Sequence, residues 1–136
     1  MKKTIKLVAL ALVFILSALT LASCLPPNFD DDKAIAALEK NGYRAAHDDL
    51  VIPLELKVLG IEDVEDVIMG STYVDGKFEH VTIIYFEEAD DAKIAWEKVK
   101  EYAEKEDKKE EDSDWTINRF HNMIWYGTEA AIKATY

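Results

Sequence analysis

Three histidines, two serines beyond the amino-terminal region, one thiol and a surplus of carboxylates are the side chains of this sequence that could do chemistry. His47, His80 and His121 form no H-E-x-x-H pair, and no second His or Cys stands near any of them at metal-ligand spacing. His47-Asp48-Asp49 could offer a ring and two carboxylates to a cation from a loop, although a strand end followed by a solvated turn is the simpler reading. Asp112, Ser113 and Asp114 begin like a calcium loop. An EF-hand would then require Gly at 117 and Glu at 123, where the chain has Ile117 and Met123, so only a diffuse attraction of Ca²⁺ to an acidic surface remains. No G-x-S-x-G surrounds Ser71 or Ser113, and the five glycines build no phosphate-cradling loop. With 27 Asp and Glu, neighbouring carboxylates arise by chance and mark no acid–base pair. The residues therefore read as noncatalytic, with no metal and no cofactor.

Cys24 is the only cysteine, and it closes the most apolar segment. The chain opens with "MKKTIK", three lysines and no acid, continues with "LVALALVFIL", and reaches the cysteine through "SALTLAS". A basic start, an apolar middle and a small-residue approach make a secretory leader. The run from Leu7 to Ala22 is broken by Ser17 and Thr20 and falls short of the about 20 apolar residues that span a bilayer. Leu21-Ala22-Ser23-Cys24 resembles the lipobox of bacterial lipoproteins, and the resemblance covers residues 1–24. It implies that the Cys24 sulfur takes a diacylglyceryl thioether and that cleavage falls between Ser23 and Cys24. It also implies that acyl chains hold the product to the bacterial cell membrane, facing outside the cytoplasm. Each buried methylene contributes about 0.8 kcal/mol, and two or more chains make attachment stable. With no other cysteine, the exported domain is held together by its core alone.

On this reading residues 1–23 are a cleaved leader, 24–29 a lipidated tether and 30–136 a single domain. Leu25-Pro26-Pro27-Asn28-Phe29 is expected to be stiff and extended, at about 3.1 Å per residue. Loss of Lys2, Lys3 and Lys6 with the leader moves the formal net charge from −11 to −14. Such a charge repels phosphate, so nucleic acid is excluded as a partner, and the domain is pushed from anionic lipid.

The elements that must position any site follow from local signals. Asp30 to Asp32 offer an N-cap to a helix carrying Ala34, Ile35 and Leu38, with Asn41-Gly42 as its stop. "YRAAH" is read as a first strand. "DDLVIPLELKVLGIEDVED" is ambiguous: Leu54, Leu56 and Val58 alternate as in a strand, while Pro53, Val58 and Leu59 suit a short helix, the reading preferred here. Asp75-Gly76 between two β-rich runs predicts a type I′ hairpin. Its register places Val74 opposite Lys77, Tyr73 opposite Phe78, Met69 opposite Thr82 and Ile68 opposite Ile83. Both faces of this hairpin are apolar, so it should lie centrally in its sheet. Ala92, Trp96, Val99 and Ala103 mark an amphipathic helix, and residues 105–114 a solvated charge run. Two strands around a His121-Asn122 turn follow, then a short helix capped by the Thr128 hydroxyl. The class expected is α+β, with a single antiparallel sheet of about four strands and helices mainly on one face.

Three functions are consistent with this. The leading one is a noncatalytic, membrane-anchored binding or accessory protein of the envelope, in which Ile68, Val81 and Ile83 form an apolar patch for a protein partner or a second copy. Trp115, Phe120, Trp125 and Tyr126 are core by the plain reading, and a surface for sugars or a partner by the functional one. A small envelope hydrolase using His and carboxylates gathered by the fold is the alternative. A solute-binding lipoprotein comes last, because so short a chain scarcely makes two lobes.

Overall fold

A computed structural model describes residues 25–109 and 114–136; the expected leader and Cys24, like Asp112 and Ser113, lie outside the described residues. Helix α1 (Asp31–Lys40) starts at Asp30, whose carboxylate accepts the Lys33 N–H at 3.0 Å. It stops at Asn41, and Gly42 (φ 85°) turns the chain into strand β1 (Arg44–His47). The ambiguous stretch is helical. The Asp48 carboxylate accepts the backbone N–H groups of Leu50, Val51 and Ile52 at 3.1, 3.0 and 3.0 Å, which starts α2 (Val51–Val58). Pro53 falls in the first turn, where its missing N–H has no intrahelical acceptor.

Strands β2 (Val64–Val74) and β3 (Lys77–Phe86) form the hairpin in the expected register, Val74 opposite Lys77 through Ile68 opposite Ile83. Asp75 (φ 51°) and Gly76 (φ 80°) both take the left-handed conformation that a type I′ turn requires. Helix α3 (Ala89–Glu106) opens with a reciprocal capping box between Glu88 and Asp91. Strands β4 (Trp115–Phe120) and β5 (Met123–Thr128) turn at His121 and Asn122, and α4 (Glu129–Lys133) follows. The Thr128 hydroxyl does not cap α4, contrary to expectation. It reaches across the sheet and accepts the His80 N–H at 3.2 Å.

The five strands form one antiparallel sheet in the order β1-β2-β3-β5-β4, with the hairpin inside it. The expected class holds, with one strand more than the approximate count. The one-sided helix arrangement does not. Ala34 and Leu38 of α1 and Ala131 and Ile132 of α4 pack with Ile68, Val81, Ile83 and Trp125. Ile52 and Leu56 of α2 and Ala92, Val99 and Ala103 of α3 pack with Val67, Ile84, Phe86 and Tyr126 on the other face. The reason is the hairpin itself. Each face carries large aliphatic side chains, and each buried Val, Leu or Ile contributes about 1.5–3 kcal/mol relative to exposure. Two helices per face remove both sets from water.

Candidate functional site

The amino end of α1 lies against the sheet where β1 ends and β2 begins. His47 pairs with Ile68, and Asp66 stands two positions before Ile68 on the same face. The pairing brings His47 Nδ1 to 2.7 Å from Asp66 Oδ2, while Nε2 faces Asp32 Oδ1 at 3.4 Å. Asp31 is hydrogen-bonded to Asp66, and Asp66 Oδ1 also accepts the Val67 N–H at 2.9 Å. The site grades from inside to outside: the Asp66 side chain is 15% exposed, His47 37% and Asp32 85%.

Burial, then the bond to Asp31, pushes Asp66 up to about 6, above the ordinary carboxylate range. Its hydrogen bond to Asp66 holds Asp31 below that range. For His47, partial burial acts downward, but the bond and charge of Asp66 and the neighbouring Asp32 and Asp31 outweigh it and raise the ring. Of Asp31 and Asp66, Asp66 is thus the carboxylate that holds a proton to higher pH. Asp31, Asp32 and His47 can each present a ligand atom, all within 4.8 Å of one another. Oxygen and imidazole donors so placed are able to coordinate a divalent cation from the solvent side.

The local triplet His47-Asp48-Asp49 is not this arrangement. Asp48 points its carboxylate into the α2 backbone, and despite partial burial those three N–H donors lower its pKa. In the sequence Asp30 to Asp32 read only as a helix start, and nothing marks Asp66. The β1–β2 register joins them, and residues 44–47 carry too little pattern to reveal it in advance.

The other histidines take separate partners. His80 Nε2 lies 2.9 Å from Asp107 Oδ2, an oxygen that also accepts the Trp115 indole N–H at 2.7 Å. Its ring stacks on Phe78 at 5.1 Å. Ser71 pairs with His80 in the strand register, and the ring bonds Asp107. His121 sits in the β4–β5 turn beside Asn122 and edge-on to Phe29.

The residues expected to form an interaction surface are mostly core. Ile68, Val81 and Ile83 are 0%, 1% and 0% exposed beneath α1 and α4, and Trp125 and Tyr126 are also buried. Trp115 is half-buried against α3. The apolar patch is corrected: the chain's own helices fill it. Apolar surface lies elsewhere, on the outer side of α2 (Leu50, Val51, Leu54 and Val58) and around Leu25, Phe29, Phe120 and Tyr136.

Fold and site together define an α+β domain with a five-stranded antiparallel sheet between two pairs of helices and a His–carboxylate cluster at one sheet end. Comparison with protein-family models, with curated proteins and with solved structures finds no match.

Proposed function

We propose that the chain is a membrane-anchored lipoprotein of the bacterial envelope whose folded domain is a noncatalytic binding or accessory module. The observation that carries this is the lipobox-like Leu21-Ala22-Ser23-Cys24, placed behind a basic and apolar leader. The strongly negative mature charge suits a domain held near a membrane by acyl chains rather than by electrostatic attraction. Mass spectrometry of the protein extracted from its native membranes tests the reading. The expected product begins at Cys24 and carries a diacylglyceryl mass, while Cys24→Ala retains its leader and lacks the lipid. A bare sulfur at position 24 would refute the anchor.

The His47–Asp66 contact at 2.7 Å favours a second reading, a small envelope hydrolase. A carboxylate that orients an imidazole is a general-base arrangement. Turnover of ester or glycoside substrates that disappears in His47→Ala would establish it. The first reading expects no turnover to lose.

A further inference from the structure

Residues 25–29, expected to be stiff and extended, lie along the domain. The Leu25 carbonyl accepts the Tyr136 O–H at 2.9 Å, and Pro27 is buried. The Asn28 carbonyl accepts the Tyr85 O–H at 2.8 Å. The Phe29 ring meets Phe120 at 5.9 Å and His121 at 6.0 Å. The segment is a strap laid on the domain. Adjacent Cα atoms are about 3.8 Å apart, so a lipid on residue 24 would join the chain one peptide from Leu25.

Four large apolar side chains remain exposed along this strap: Leu25 at 48%, Phe29 at 55%, Phe120 at 52% and Tyr136 at 42%. A single exposed hydrophobe is ordinary, but here Leu25 with Tyr136 and Phe29 with Phe120 stand at the two ends of the strap that leads to residue 24. Three of the four are aromatic. Rings of this kind are suited to the boundary between headgroups and acyl chains, where Tyr can place its ring in the apolar zone and its hydroxyl at a polar group.

We propose that the strap surface, Leu25, Phe29, Phe120 and Tyr136, rests in the membrane interface and fixes the domain's orientation on the bilayer. The proposal rests on the lipid anchor proposed above, which brings a bilayer to this point. The rigid strap then leaves the domain one side to present. The β2–β3 hairpin end points away: Phe78 lies seven residues along β3 from Tyr85, which pairs with Met123 beside Phe120, roughly 23 Å at 3.3 Å per residue.

The test uses the lipidated protein in phosphatidylcholine vesicles, with a tryptophan introduced by Phe120→Trp, by Phe29→Trp as a second reporter, or by Phe78→Trp as the distal control. Emission is compared between plain and dibrominated phosphatidylcholine. The expected result is that at least half of the added emission is quenched for positions 120 and 29, and essentially none for position 78. Equal quenching at all three positions overturns the proposal, since the domain would then have no fixed side. So does the absence of quenching at 120 and 29 while the protein floats with the vesicles, the result if a second copy covered the strap. Protein that carries no acyl group and does not float refutes the anchor reading itself, and with it this inference.

Discussion

Asp66 carries a proton toward neutrality because its folded surroundings are poor in water and already contain Asp31. Its folded pKa of about 6 lies above the ordinary value, so the folded state binds that proton more tightly than the unfolded chain does. The resulting stability is complete below about pH 4 and is lost as pH rises through the folded value. His47, also raised, adds in the same direction at higher pH. Asp31, lowered, opposes both, because its contribution is lost only as acid protonates it. Asp66→Asn cannot ionise. The stability of the native chain, measured by urea unfolding, is expected to fall relative to Asp66→Asn by about 1 kcal/mol between pH 4 and pH 7. A difference that stays constant with pH would show that Asp66 is an ordinary carboxylate.

A second residue-scale expectation concerns Gly127, which pairs with Val81 of β3. Its φ is 148°, and a Cβ there would stand 2.1 Å from the His80 carbonyl oxygen. Gly127→Ala must open the sheet and adopt a strained backbone, at a cost of about 3 kcal/mol or more. A urea midpoint within error of the native one would contradict this.

At the scale of elements, legibility followed the range of the signal. The hairpin was readable because its turn chemistry, both strands and their alternation lie within residues 67–84. The first and last turns of α1 and the length of α3 were readable for the same reason, since caps and periodicity are local. Facing was not. The sequence showed that both hairpin faces are apolar, but the assignment of α1 and α4 to one face and α2 and α3 to the other depends on how connections cross the sheet. Ile68 therefore looked like a candidate surface residue and is core. Ile68→Ala is expected to destabilise the fold by about 2–5 kcal/mol, whereas removal of a surface contact would change stability by about 0.5 kcal/mol or less. The candidate site was hidden for a related reason, because His47 and Asp66 meet only through the β1–β2 register. Helix α2 gives a sharper test of local logic. Asp48→Ala removes an acceptor shared by three backbone N–H groups and should cost about 1–2 kcal/mol. Asp49→Ala, for which no comparable set of backbone donors is found, should be nearly neutral.

For the whole molecule, the dominant quantity is charge. The product of cleavage at Cys24 would carry 27 acids against 13 bases, and a compact body concentrates that repulsion more than an unfolded chain does. Added salt screens such repulsion, since the Debye length shrinks from about 30 Å at 0.01 M to about 3 Å at 1 M. The melting temperature is expected to rise by several degrees between about 0.01 M and 0.5 M sodium chloride. A fall across that range would mean that attractive pairs, such as Lys77 with Asp114 at 2.9 Å, outweigh the excess of like charge.

The bond from Tyr136 to Leu25 spans 111 positions, and that separation imposes an order in time. A growing polypeptide leaves the ribosome amino end first, so the backbone beside the cysteine is made early and its clasp late. Until Tyr136 has been made, the Leu25 carbonyl lacks that hydroxyl as a partner.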